Sequence, residues 1–138
     1  MAKWFRQLAC PQGSTGNVTF PSIEVPPDVD QDAFILSFIV EAVGATPTVT
    51  YKWQYSLDDP SISDANATWF DLLYHLPGVT PEVAPVATTR ARTAVSTDPL
   101  LPTQGAAKKE LYRRVRLVTS ANTNVTFRGE VIGLDSSQ

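Results

Sequence analysis

Phe34-Ile35-Leu36-Ser37-Phe38-Ile39-Val40-Glu41-Ala42-Val43, then Gly44-Ala45-Thr46-Pro47, then Thr48-Val49-Thr50-Tyr51-Lys52-Trp53-Gln54-Tyr55-Ser56 is the stretch that decides the fold class. In its second half Val49, Tyr51, Trp53 and Tyr55 alternate with Thr48, Thr50, Lys52, Gln54 and Ser56. Successive side chains on a strand point to opposite faces, so a period of two predicts a half-buried strand with one wetted face. In the first half Phe34, Leu36, Phe38, Val40 and Ala42 alternate with neighbours that include Ile35, Ile39 and Val43. Apolar residues on both faces predict a strand covered on both sides. Gly44-Ala45-Thr46-Pro47 reads as the turn between two paired strands.

A second block answers the first near the C-terminus. Leu111–Thr119 and Val125–Leu134 read as strands joined by Ser120-Ala121-Asn122-Thr123-Asn124, whose asparagines tolerate left-handed turn geometry. Leu111, Arg113, Val115 and Leu117 share one face of the first strand, and Tyr112, Arg114, Arg116 and Val118 the other. Val125, Phe127, Gly129 and Val131 are expected to face the core opposite them. Val18-Thr19-Phe20 and Ile23-Glu24-Val25 read as short strands that Pro21, Pro26 and Pro27 confine to sheet edges. The sum is an all-β, antiparallel β-sandwich, Ig-like or jelly-roll-like, of about seven to eight strands with very little helix.

Around that body the sequence predicts two appendages. Residues 1–17 read as an N-terminal arm, with Trp4, Phe5 and Leu8 set apart by Pro11-Gln12-Gly13-Ser14-Thr15-Gly16-Asn17. A short aromatic segment on such a tether is ordered when it docks, on its own domain or on a neighbour. Residues 18–138 read as one domain interrupted at 77–107 by a long loop rich in Pro, Ala and Thr, with Thr88–Val95 a candidate strand inside it. Loops of that length inside a compact domain are uncommon and are usually functional or disordered.

The wording of the two blocks carries a resemblance. Val40-Glu41-Ala42-Val43-Gly44-Ala45-Thr46-Pro47-Thr48-Val49 leads into Trp53-Gln54-Tyr55-Ser56-Leu57-Asp58, and Ala67-Thr68-Trp69-Phe70-Asp71-Leu72 follows. Later come Tyr112-Arg113-Arg114-Val115-Arg116-Leu117 and Thr123-Asn124-Val125-Thr126-Phe127. This resembles the small β-sandwich virion proteins of tailed bacteriophages. The resemblance leaves out the first 20 residues and 77–107, and Asp59–Asn66 lengthens a hairpin that is tight in that group. It implies a capsid decoration (cement) protein, made in the host cytoplasm and placed on the virion head surface. The partners it implies are the major capsid protein, copies of this chain in a symmetric assembly, or both. A tail or head–tail connector component is the alternative within that class, and a carbohydrate-binding adsorption module, with Trp53 and Trp69 as an aromatic platform, the alternative outside it.

Composition narrows the function classes. With 138 residues the chain is long enough to bury roughly two thirds of its unfolded surface without disulfides or metals. No apolar run approaches the roughly 18 residues that cross a bilayer, so no membrane partner is expected, and residues 1–10 make a poor signal peptide. Cys10 is the single cysteine, so no internal disulfide forms and a reducing compartment is expected. The net charge of −3 argues against a dedicated nucleic-acid binder. Charge is unevenly spread: residues 1–89 hold 3 basic and 10 acidic groups, residues 90–138 hold 8 basic and 4 acidic. Such halves either cancel within one fold or attract copies of the molecule to each other.

The inventory for catalysis is thin. His75 is the single histidine, between Tyr74 and Leu76 with no motif to make it a base, and no G-x-S-x-G nucleophile setting occurs. Cys10 precedes a proline with no cation closer in sequence than Arg6 and reads as a bland thiol. Asp58, Asp59, Asp64 and Asp71 lack the spacing and glycine of a calcium loop and read as a hydrated turn. Three N-x-T triplets, at Asn17, Asn66 and Asn124, are what Asn- and Thr-rich turns generate by chance. The chain is therefore expected not to be an enzyme and to use no metal, cofactor or small-molecule substrate. Lys108, Lys109, Arg113, Arg114 and Arg116 form a basic cluster that a strand would split between two faces, so pairing with the acidic half is expected over phosphate binding. The candidate contact residues are Trp4, Phe5 and Leu8 in the arm, Arg90 and Arg92 in the long loop, and Arg113, Arg114 and Arg116 as charge contacts.

Overall fold

The computed structural model describes residues 3–25, 35–72, 74–75, 90–102 and 114–135. These hold strands β1 (Lys3–Ser14), β2 (Ile23–Glu24), β3 (Ile35–Ser56), β4 (Phe70–Asp71), β5 (Tyr74–His75), β6 (Arg90–Arg92), β7 (Ser96–Pro102) and β8 (Arg114–Asp135). All pair antiparallel in one open sheet of order β1-β8-β3-β7-β5, with β2 also on β8 and β4 and β6 also on β3. The all-β, antiparallel class read from the sequence holds.

The connection between strands differs from the expected one. Neither Gly44–Pro47 nor Ser120–Asn124 closes a hairpin. Each lies inside a single strand of 22 residues, and β3 and β8 pair with each other along nearly their whole length, from Ile35↔Ile132 to Ser56↔Arg114. Where the turns were expected, the two strands bend together. Between Val43↔Val125 and Thr48↔Thr123 the ladder is interrupted, and residues 44–47 of β3 bulge against Asn124. The turn chemistry is real: Thr46, Ala121 and Asn124 have φ of 43°, 52° and 54°, the left-handed region that turn residues occupy. It serves to crease two long strands at the same level.

The crease folds the sheet double. Phe38 and Tyr51 lie thirteen positions apart on β3, a distance of about 43 Å along a straight strand. Their rings are stacked with centroids 3.9 Å apart. One leaf thus contains β1, β7, Ile35–Val43 and Val125–Asp135, and the other contains β2, β4, β6, Thr48–Ser56 and Arg114–Ser120. Leu36, Phe38, Val40, Phe127 and Val131 of the first leaf and Val49, Tyr51, Trp53, Val115 and Leu117 of the second are all buried. The alternation read in the sequence therefore lines the inside of the fold. Two leaves of one sheet stand where two separate Ig-like or jelly-roll-like sheets were expected.

The other chains cross from leaf to leaf at the same level. The N-terminal segment follows β8 throughout: β1 runs from Lys3↔Asp135 to Ser14↔Phe127, and past a bend at Gly13 and Gly16 (φ 77° and 102°) Thr19 pairs with Val118 and Ile23 with Val115. Thr93–Val95 carry the chain from β6, on Val49–Tyr51, to β7, on Leu36–Val40. Four bends therefore lie side by side. Asparagines stitch three of them: Asn17 Oδ1 accepts from Asn122 N (2.8 Å), Asn124 Nδ2 donates to Ala45 O (2.6 Å), and Asn122 Oδ1 accepts from Val125 N (3.2 Å).

Gly129 lies where the two leaves approach closely. A Cβ at this position would meet Leu117 Cδ2 at 2.9 Å, Trp53 Cη2 at 3.4 Å and Cys10 Sγ at 3.5 Å. Gly129→Ala should cost about 1–2 kcal/mol, since only the flexible end of Leu117 must yield, while Gly129→Val should cost more because its branches meet Trp53 and Cys10. Urea titration of both variants checks the order.

Candidate interaction surface

Residues 57–69 pack over the outer side of the second leaf, and one carboxylate holds them there. Asp64 accepts from Ser22 N (2.9 Å) and Ser22 Oγ (2.6 Å), and Arg114 Nη1 donates to it at 3.2 Å. Trp69 Nε1 donates to the Asp64 carbonyl at 2.9 Å, and the Arg116 guanidinium lies 4.0 Å above the Trp69 ring with that of Arg114 at 5.5 Å. Stacked cations over an indole attract its electron-rich face. Arg116 Nε in turn donates to Gln54 Oε1 (2.8 Å), Gln54 Nε2 to Asp71 Oδ1 (2.9 Å), and Lys52 pairs with Asp71. Burial alone would raise the Asp64 pKa; the Ser22 hydrogen bonds and the Arg114 and Arg116 charges outweigh it and hold the carboxyl below 3.8.

Among the described residues, bases of the C-terminal half pair with acids of the N-terminal half at Arg114–Asp64 in this cluster and at Arg128–Glu41 across the first leaf. There Arg6 grips Glu130 with Nη2 at 2.8 and 3.0 Å from its two oxygens, Arg128 pairs with Glu41 at 3.2 Å, and Glu41 accepts from Gly13 N at 2.7 Å. The acidic loop is organised the same way: Asp58 accepts from Thr68 N and Asp59 from Ser61 N, each carboxylate on its own donors. Among the described residues no three or more His, Cys, Asp or Glu gather to hold a metal.

The candidate contact residues fall into three groups. Trp4, Phe5 and Leu8 lie on β1, opposite Leu134, Gly133 and Glu130. The segment read as a tethered arm is docked on its own domain, as an edge strand. Leu8 is 48% exposed and stands between two shallow grooves, one with Gln7, Arg6 and Arg128, the other with Pro11, Phe20 and Pro21. Arg114 is buried and paired with Asp64 of the acidic half, and Arg116 is half-buried over Trp69, so both make contacts within the chain. Arg92 donates from Nε to Ser96 Oγ (3.2 Å), bracing the bend between β6 and β7; Arg90 pairs with Tyr51 in the ladder. Arg113 lies outside the described residues, as do residues 77–89 and 103–107 of the long loop, whose remainder supplies β6 and β7.

One further reading changes, and one alternative falls away. Cys10, expected in a loose arm, is buried beside Gly129, and its desolvated thiol is pushed up to about 11. Trp53 is wholly buried and Trp69 lies beneath Arg116, so the two tryptophans do not form an exposed platform for a sugar. The sequence reading missed Asp64 as the centre of a cluster. Its position inside an unpatterned Asp/Ser/Asn loop carries no signal beyond the general surplus of acid in the first half.

No protein-family model matches the sequence, and no curated protein matches it. Among solved structures, the crystal structure of the SPBc2 prophage-derived protein YomS is similar to this chain, with a TM-score of 0.61 at 8% sequence identity, covering 97% of this chain and 95% of that one. The fold is shared with a prophage protein. At that identity the likeness is one of architecture, and it spans nearly all of both chains.

Proposed function

We propose that this chain is a structural protein of a tailed-phage virion and, within that class, a capsid decoration protein that braces the head lattice through protein–protein contacts. The observation that carries the reading is the likeness in fold to a prophage-derived protein over nearly the full length of both. The sequence resemblance to small virion β-proteins points the same way. The anatomy supports a non-catalytic role: Asp64, Glu41 and Glu130 are engaged with Arg114, Arg128 and Arg6 in pairings that fix the sheet. One edge strand, β1, leaves its outer row of backbone groups without a strand partner among the described residues, with Leu8 exposed along it. Such an edge offers hydrogen bonds and an apolar anchor to the major capsid protein or to a neighbouring copy. Many modest contacts of this kind become tight through avidity on a lattice.

Co-sedimentation of the purified chain with isolated heads and, separately, isolated tails tests the reading. Saturable binding to heads on the order of hundreds of copies is expected, and Leu8→Lys should reduce it. Point substitution is preferable to deleting residues 1–12, which would strip a strand from the sheet. Binding to tails alone would move the assignment to a tail or connector component, and binding to neither would remove it.

A further inference from the structure

Resting on the reading of β1 as the docking edge, we infer that this edge takes up, as an added strand, an extended peptide segment in which acidic and apolar residues alternate. Lys3–Leu8 pairs with β8 without a shift, from Lys3↔Asp135 to Leu8↔Glu130, and among the described residues no strand lies on its other side. Arg6, Gln7 and Leu8 are exposed, so this part of the edge is bare. The register shifts after Leu8 and Pro11 has no backbone N–H, so the regular template ends there.

Charge selects the partner. Arg6 and Arg128 stand beside Glu130 and Glu41, equal in number but unequal in reach: the Glu130 and Glu41 side chains are 7% and 16% exposed, that of Arg6 62%. Glu130 accepts twice from Arg6 Nη2, and Glu41 accepts from Gly13 N and Arg128 Nη1. Both carboxylates are therefore engaged, while among the described residues Arg6 donates from Nη2 alone and keeps Nε and Nη1 open. An incoming chain meets this guanidinium beside a groove of about 390 Å³ lined by Gln7, Leu8, Gln12 and Arg128. A carboxylate matches the open donors, and a lysine or arginine is repelled by them.

The other side of the edge is apolar. Here β1 of the first leaf and Phe20–Ile23 of the second border a groove of about 280 Å³, with Leu8, Cys10, Pro11, Phe20 and Pro21 in its walls. Successive side chains of a strand point to opposite faces. A strand laid along β1 therefore sets every second side chain over Arg6 and the others against the apolar groove. Backbone pairing supplies the affinity, and the two grooves supply the sequence preference. A phosphate chain fits less well, because it has no N–H groups to match the unpaired carbonyls of an edge. A second β1 fits less well too: it carries Lys3 and Arg6 and no acid, so it brings no carboxylate to Arg6.

The test is fluorescence anisotropy of labelled peptides on the full chain. The peptides are one of alternating Glu and Val, its counterpart of Lys and Val, and the acidic one with its backbone nitrogens methylated. The acidic peptide should bind about tenfold more tightly than the basic one, and Arg6→Gln, shown folded by a thermal melt, should lose that preference. The methylated peptide should not bind, and the amide resonances that the acidic peptide shifts should centre on Arg6–Leu8. Equal binding of the acidic and basic peptides, binding unchanged by methylation or by Arg6→Gln, shifts away from β1, or no binding of any peptide overturns the inference. So does a chain that sediments as a pair which the acidic peptide separates, since a second copy is then the occupant. Binding to heads that excess acidic peptide does not displace keeps the virion reading and overturns this partner. A chain that binds the peptide but neither heads nor tails does the reverse.

Discussion

Phe38→Ala will lower the stability of this protein by about 3–5 kcal/mol and its melting midpoint by roughly 10–20 °C. The ring is wholly buried between the leaves, stacked on Tyr51 and 5.3 Å from Phe127. Its removal takes away apolar burial from both leaves at once and leaves a void that neighbours on hydrogen-bonded strands cannot fill. Val43→Ala is the matched control. Val43 precedes the bend on the same strand and is 39% exposed, so its truncation should stay within about 0.5 kcal/mol. Urea and thermal melts of the pair measure the contrast. If the two variants lose similar stability, the two halves of β3 are not closed on each other.

Asp64→Ala is expected to cost about 2–3 kcal/mol, because it strands a buried cation. Arg114 retains 6% side-chain exposure, Asp64 holds its Nη1, and its Nε and Nη2 have no hydrogen-bond partner among the described residues. The cost falls at the lower end for a broken buried pair because the Asp64 side chain is 35% exposed and water screens part of the charge. Arg114→Met should cost much less, and the double variant Asp64→Ala/Arg114→Met should recover most of the loss, since the uncompensated charge is then gone. Chemical melts of the three variants form the cycle. The pH dependence has a definite sign. The Asp64 carboxyl is depressed in the fold, so its contribution is complete above the ordinary value of 3.8 and fades as pH falls through the lower folded-state value. Wild type should therefore weaken more steeply than Asp64→Ala on acidification below about pH 4. Parallel acid slopes would show that the carboxylate is not ionised through this pairing.

The strands were legible because burial on one side of a pleat leaves a mark every second residue. Val49, Tyr51 and Trp53 on one run and Val115 and Leu117 on another point inward as their alternation predicts. What those marks do not encode is the partner. Gly44–Pro47 and Ser120–Asn124 carry genuine turn residues, and a two-strand hairpin and a creased long strand use the same local conformations. Only the register, with β8 opposite both halves of β3, distinguishes them, and register is a property of two distant segments. The same holds for the contact residues. Arg114 and Arg116 carry the charge expected of a contact surface, but the acid that neutralises Arg114 sits fifty residues earlier in a loop without pattern. Leu8 is exposed on β1, but that its segment would be a strand was not legible, because Pro11 and the glycines near it read as a tether.

The position of β8 has a consequence for how the chain is made. It lies between the N-terminal segment and β3, and among the described residues every pairing that unites those two passes through it. It is also the last of the described strands to leave the ribosome. Until then β1 and β3 have hydrophobic faces and no shared neighbour, so the nascent chain must wait with adhesive strands uncovered. The sheet can close only once β8 has been made, slowed by loop closures that span most of the residues described. Yield in a host cell should therefore depend on temperature and chaperone supply more than on the stability of the finished fold.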